Sequence, residues 1–159
     1  MLLSVFFFLV MLKMKAYRIP YIRTDNMLTN LGLLLIRVFI GFTFIGHGGQ
    51  KLFAWFGGGG PRGTAEWFES MGVAPRRPIW AIIAGAFEFV GGLLFGAGVL
   101  TAVGAALISI IMLDAIITVH AKNGYWVSNN GFEYPLITII TVVGIAMIGP
   151  GEYVLYSFS

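Results

Sequence analysis

The stretch LGLLLIRVFIGFTFIGHGGQKLFAWFGGGG, residues 31–60, decides the fold of this chain. It opens as an apolar segment long enough to span a bilayer, which takes about 20 residues. Arg37 interrupts the apolar run, and polar side chains return at His47, Gln50 and Lys51 before four glycines end it. If the stretch is a helix, heptad spacing places six residues on one face: Arg37, Gly41, Phe44, Gly48, Lys51 and Trp55. A face with charges at both ends and glycines between them predicts packing against protein rather than lipid.

The composition of the chain is that of a membrane protein. Hydrophobic residues make up 58% and charged residues 11% of the 159 residues, whereas soluble domains carry about 25% charged residues. Four apolar runs follow one another: Leu31–Phe56, Ile79–Leu100, Thr101–Ala121 and Tyr134–Gly149. They predict an all-α integral membrane protein, an antiparallel bundle of four transmembrane helices in one domain from residue 27 to 159. A net charge of +3, dispersed along the chain, does not indicate a nucleic-acid partner, and none is expected.

Residues 1–26 form an N-terminal extension ahead of this domain. Met1–Leu12 is apolar but too short to span a membrane, and the basic residues Lys13, Lys15, Arg18 and Arg23 follow it. The extension is interpreted either as an interfacial anchor or as the product of a start codon placed too early, since Met27 comes just before the first apolar run. Neither interpretation gives the extension a part in the mechanism.

The connections between the runs carry local signals of their own. TAEWFESMG, residues 64–72, predicts a short interfacial helix between helices one and two, capped by Thr64 and closed by Gly72. Almost no residues separate the second and third runs, which predicts a tight helical hairpin. The aromatic segment NGYWVSNNGFEYP, residues 123–135, predicts a small aromatic hairpin loop over one end of the bundle, with a turn at Asn130-Gly131.

Polar residues at membrane depth fall into two predicted groups. Counting about 1.5 Å per residue from end A, where helix one begins, predicts an intramembrane ion cluster of Arg37, Glu88 and Asp114. The cluster is either a structural clamp, in which Arg37 pairs with Glu88, or a site for proton movement. Near end B, where helix one ends, a polar mouth is predicted under the aromatic loop. Its candidate ligand-binding residues are His47, Gln50, Lys51, Trp55, His120, Trp126 and Glu133. Groups at a wet mouth are expected to add little to folding.

These residues also carry a resemblance to a known family. RVFIGFTFIGHGGQKLFAWFGG, FEFVGG, VHAKNGYWVSNNGFEYP and GPGEY together make the chain, from Leu31 to Tyr153, similar to the DoxX family of small bacterial and archaeal membrane proteins. The resemblance implies a four-helix, multi-pass protein of the cytoplasmic (inner) membrane of a bacterium or archaeon. It also implies quinone-linked redox chemistry, because family members are described as quinone-reducing subunits acting on sulfur compounds or as factors in quinone and oxidative-stress resistance.

Two functions from different classes remain open. The first is a quinone-interacting redox subunit, in which His47, Lys51 and His120 donate hydrogen bonds to the quinone and Glu133 or Glu88 relays protons. The chain has no cysteine, which excludes thiol redox chemistry and iron–sulfur ligation, so a soluble or membrane partner, or another bound redox carrier, must supply electrons. Haem is not expected with only two histidines, and no metal site is predicted. The second function is a non-enzymatic membrane scaffold or small-solute carrier, either of which allows a homo-oligomer.

Overall fold

A computed structural model of the chain describes residues 27–72 and 77–155, and these residues form helices and turns without a strand. The five α-helices are α1 (Met27–Phe53), α2 (Gly60–Ser70), α3 (Pro78–Ala97), α4 (Thr101–Ala115) and α5 (Glu133–Ile148). The predicted all-α class is thereby confirmed. The N-terminal extension, with both of its interpretations, lies outside the described residues.

Within residues 27–72 and 77–155, three helical segments are long and apolar enough to cross a membrane. They are α1, α3 and the continuous segment Thr101–Asn123, in which α4 is extended by a π-helix, Ile116–His120, and a 3-10 turn, Ala121–Asn123. α5 is equally apolar but has only 16 residues, or about 24 Å of helix. The hydrocarbon core of a bilayer is about 30 Å thick. The membrane class is therefore supported by three spans, and α5 falls short of the usual length.

Glycines set the packing of α1 against α3, the closest helix pair among the described residues. A Cβ built on Gly41 would lie 2.7 Å from the carbonyl oxygen of Gly92, and one built on Gly48 would lie 2.6 Å from that of Gly85. Real Cβ atoms do not approach carbonyl oxygens so closely, so both α1 positions require glycine. Gly41 and Gly48 are seven residues apart on α1, as are Gly85 and Gly92 on α3. The two glycine contacts therefore fix the register of the antiparallel helix pair.

The remaining helices pack in chain order, α3 against α4 and α4 against α5. A buried apolar cluster joins all four long helices through Leu33, Phe44, Phe95, Ala105, Ile108, Met112, Val142 and Ile145. Only Gly98, Val99 and Leu100 separate α3 from α4, and the first of them has a left-handed φ of 73° that lets the chain reverse. The tight hairpin predicted from the sequence is confirmed.

Two helix boundaries differ from the sequence predictions. α2 begins at Gly60, so Thr64 is a buried residue within the helix and does not cap it, whereas Gly72 follows the helix with φ of 69° as expected. α1 ends at Phe53, three residues before the predicted end, because Ala54 adopts a left-handed conformation with φ of 58°. Trp55 therefore leaves the α1 face on which heptad spacing placed it.

Candidate functional site

The main polar feature of the helix interior is an ion pair between Lys51 on α1 and Glu88 on α3. The Lys51 Nζ lies 2.6 Å from Glu88 Oε2, and the two side chains are 20% and 5% exposed, respectively. Lys51 lies three residues after Gly48 on α1, and Glu88 lies three residues after Gly85 on α3. Helical side chains tilt towards the N-terminus of their helix. On antiparallel helices the Lys51 and Glu88 side chains therefore tilt towards one another.

This pair corrects the prediction that Arg37 is the partner of Glu88. Arg37 is fully buried and donates from Nη2 to the Tyr153 carbonyl at 2.5 Å and from Nη1 to the Gly96 carbonyl at 3.4 Å. Gly96 lies eight residues from Glu88, or about 12 Å along α3. The depth count misplaced the two residues because it assigned each helix an independent starting level and ignored the glycine register.

The contacts of Arg37 belong to a clamp on the C-terminal segment, residues 149–155. The Glu152 amide donates to Asn30 Oδ1 at 3.3 Å, and the Leu155 amide donates to the Ala97 carbonyl at 3.0 Å. The segment thus folds back over the start of α1 and the end of α3. Arg37 acts here as a structural residue at end A of the bundle.

Asp114 lies apart from both Arg37 and Glu88. Met112 is buried in the core, and a residue two positions along a helix is rotated by about 200°, so Asp114 faces outward. Its side chain is exposed and makes no hydrogen bond or ion pair with another described residue. The structure therefore separates the three members of the predicted ion cluster. The depth count failed because it gives the level of a residue in the membrane and not the side of the helix on which the residue lies.

His47 and Gln50 lie beside the ion pair near end B. His47 is exposed, its Nδ1 is 3.4 Å from Gln50 Oε1, and its ring centre is 6.2 Å from that of the buried Phe44. Residues 47 and 51 are about 40° apart around the helix axis, so His47 and Lys51 share one side of α1. Lys51 is mostly buried and paired with Glu88, whereas the sequence predicted a group at a wet mouth, and the contributions of His47 and Lys51 to folding stay predictions.

Trp55 lies on the opposite side of α1 from Lys51. Its ring covers Gly49, which is about 200° from Lys51 around the helix, and its ring centre is 5.1 Å from that of Phe53 and 5.9 Å from that of Phe89. This aromatic cluster does not cover the ion pair. The left-handed residues after α1 turn the chain back onto the helix, a feature that the sequence signals only through the glycines.

The loop between α4 and α5 organises the other predicted site residues. His120 Nδ1 lies 2.7 Å from the Asn130 carbonyl, and Glu133 Oε2 accepts a hydrogen bond of 2.9 Å from the Val127 amide. Both side chains therefore hold the loop in shape. Trp126 lies on its outside, 62% exposed. The π-helix that ends at His120 was not foreseen, and such helices occur frequently at functional sites.

The candidate ligand-binding residues thus form three groups. Lys51 and His47, with Gln50, lie on one side of α1, Trp55 lies on the other, and His120, Trp126 and Glu133 belong to the loop. In residues 27–72 and 77–155 no hydrogen bond, ion pair or ring contact joins the loop group to the Lys51 group. All three groups are at end B, and a common pocket stays a prediction. No cluster of three or more His, Cys, Asp or Glu residues suited to a metal ion occurs in the same described part.

Comparison with known proteins identifies relatives of this chain. The family model described as DoxX matches residues 32–121. "Putative oxidoreductase CatD" from Bacillus subtilis (strain 168) is 32% identical over 119 residues, which cover 75% of this chain and 80% of the relative. An "Uncharacterized protein" from Haemophilus influenzae is 27% identical over 132 residues, covering 78% of this chain and 80% of that protein. No solved structure shows significant similarity to the chain.

Proposed function

Because the chain belongs to the DoxX family, we propose that it is a quinone-interacting membrane subunit of a redox or quinone-stress pathway that works with an electron-supplying partner. A relative named as an oxidoreductase supports redox chemistry. The observation that carries the proposal is the Lys51–Glu88 ion pair, which lies inside the helices near one membrane face with its lysine one-fifth exposed. Buried charges in membrane helices mark functional sites by default.

The proposed topology is a bundle of four crossings in the cytoplasmic membrane. α5 supplies the fourth crossing, since it carries no charge after its first turn and packs against α4. Its 16 residues span the bilayer if the loop residues before Glu133 or the segment after Ile148 enter the interface. α2 lies along the surface at end B, where exposed Trp67 suits the headgroup level.

The proposed headgroup site lies on the side of α1 that carries His47 and Lys51. A quinone has two carbonyl oxygens, each of which accepts a hydrogen bond, and an apolar ring. Lys51 and His47 supply the donors, and the buried ring of Phe44 next to His47 supplies an apolar wall. Trp55 is excluded from this site because it lies across the helix, whereas Trp126 on the loop at the same end remains available as a cover.

Quinone reduction consumes two electrons and two protons and yields the quinol. The chain contributes to the proton side of this reaction, since Lys51 and Glu88 share a charge-assisted hydrogen bond through which a proton passes to the bound carbonyl oxygen. The electrons arrive from the partner, because a chain without cysteine offers no thiol couple. The redox step therefore belongs to the complex, and the membrane subunit binds and protonates the quinone.

Ligand protection against unfolding tests the site directly. A short-chain ubiquinone at 100 times its Kd is expected to stabilise the detergent-solubilised protein by about 2.7 kcal/mol. The His47→Ala variant should lose this protection and keep the unliganded stability, because His47 is exposed.

His120→Ala provides the matched control, since its imidazole is held by the loop; it should keep the protection. Wild-type protein that gains no stability from the quinone would contradict quinone binding and favour the scaffold or carrier.

A further inference from the structure

α4 carries an acidic residue on a face where the fold offers no partner. Asp114 is exposed, and its carboxylate has no hydrogen bond or ion pair within the described part of the chain. The residues around it on the outward face are apolar and open, namely Val103 (47% exposed), Ile110 (50%) and Ile117 (75%). A single carboxylate thus interrupts a surface that is otherwise suited to lipid or to another membrane helix.

The depth of Asp114 makes lipid an unsuitable neighbour. It lies 13 residues after Thr101 and nine before Asn123, the ends of this span, and is therefore about 20 Å and 14 Å from them. A lysine could extend its long stem towards the interface, but aspartate has a single methylene group. A charged aspartate at such depth costs about 2.5–3.5 kcal/mol even on the lenient insertion scale. The carboxyl group must therefore either hold a proton or pair with a cation from outside the described fold.

Among the described residues, a second copy of the chain offers no suitable cation for this position. Arg37 is fully buried with backbone carbonyls, and Lys51 is paired with Glu88. Lys122, on the same span, is eight residues from Asp114 and so about 12 Å away in depth in a parallel dimer. A two-fold dimer through this face would also bring two Asp114 carboxylates together. Charge complementarity therefore points away from self-association.

We propose that the outward face of α4 around Asp114 docks a transmembrane helix of a different protein, one with a lysine or arginine at the same depth. The apolar flank supplied by Ile110 and Ile117 packs along the partner helix, and Asp114 pairs with its cation. Pairing of Asp114 with a basic side chain offsets the free-energy cost of desolvating each charge. The site therefore favours a helix with a basic residue over an apolar helix. This interface does not depend on quinone binding, since it lies on α4 and uses none of the proposed headgroup residues.

Labelled model helices in vesicles test the charge requirement. The full chain in phosphatidylcholine vesicles is titrated with a leucine-rich transmembrane peptide with one central lysine, and energy transfer reports association. The lysine peptide should bind about five- to thirtyfold more tightly than the same peptide with leucine at that position, as one interhelical polar contact of about 1–2 kcal/mol allows. Asp114→Leu should abolish the preference, and Glu69→Gln, which removes one exposed charge from α2, should keep it.

Equal binding of the two peptides, or an undiminished preference in Asp114→Leu, would overturn the proposal. Asp114→Asn serves as a second variant if the leucine variant does not fold. A preference that appears only after residues 1–26 are removed would also overturn it, because the N-terminal extension would then be the occupant.

Self-association is tested separately, and the chain suits the experiment because it contains no cysteine. In vesicles, the variant Ile110→Cys should give no higher yield of disulfide-linked dimer than the control variant Phe39→Cys. Phe39 is 74% exposed on α1. Efficient dimer formation specific to Ile110→Cys would assign the face to a second copy and overturn the assignment to a different protein. Neither result depends on the response to quinone, so failure of this proposal is distinguishable from failure of the proposed function.

Discussion

Replacing Lys51 by methionine while Glu88 stays in place is expected to destabilise the protein more than replacing both residues. The Glu88 side chain is 5% exposed, and removal of one partner from a buried ion pair costs about 3–5 kcal/mol because the other charge is left unpaired. We expect Lys51→Met to lie within this range. Glu88→Leu should cost less, about 1–2 kcal/mol, since Lys51 is one-fifth exposed and its stem can carry the ammonium group towards end B.

The double variant Lys51→Met/Glu88→Leu should return to within about 1 kcal/mol of the wild type, because replacement of both charges by apolar groups leaves no unpaired charge. The free energy of unfolding is measured for all four proteins by titrating dodecyl maltoside micelles with sodium dodecyl sulfate and following helical circular dichroism. The coupling energy from this double-mutant cycle isolates the pair. Single-variant costs that simply add, with a coupling below about 0.5 kcal/mol, would refute the assignment of Lys51–Glu88 as a buried pair.

Two further variants test the fold around the site. Gly41→Ala should destabilise the protein by about 1–3 kcal/mol, because its Cβ would lie 2.6 Å from the Cα of Gly96 on α3. The control Gly46→Ala should be neutral or stabilising, because its Cβ would meet nothing within 4 Å. Equal losses of unfolding free energy for the two variants in the same titration would contradict the glycine register. Arg37→Met should release the C-terminal segment, residues 149–155. The measurement is hydrogen exchange of the Leu155 amide, which donates to the Ala97 carbonyl in the wild-type protein and should exchange faster in the variant. Unchanged exchange would show that Arg37 does not hold the segment.

The contacts of Lys51 show which information the sequence contained and which was overlooked. Gly41 and Gly48 on α1 have the same seven-residue spacing as Gly85 and Gly92 on α3. Pairing the glycines of antiparallel helices would have brought Lys51 to Glu88 and Arg37 to Gly96. The depth count used the rise per residue from assumed helix ends, and an error of about one turn was enough to exchange the partners.

Asp114 and Trp55 were misplaced for a different reason. Each residue turns a helix by about 100°, so a face chosen one or two positions away from the buried one points elsewhere in the bundle. On α4, two residues separate the buried Met112 from the outward Asp114. The early end of α1 at Phe53 moved Trp55 off the helix altogether. Neither change alters the hydrophobic pattern from which helices are predicted.

The sequence by itself determined the membrane class, the helical architecture, the hairpin between α3 and α4 and the glycine-rich face of α1. These properties follow from composition, from the length of apolar runs and from local backbone preferences, all of which act over a few turns of one helix. The tertiary structure alone decided the partners of the charged residues: Glu88 for Lys51, backbone carbonyls for Arg37, and none among the described residues for Asp114. Such partners depend on the relative register and rotation of two helices, which are fixed by close packing between segments far apart in the chain.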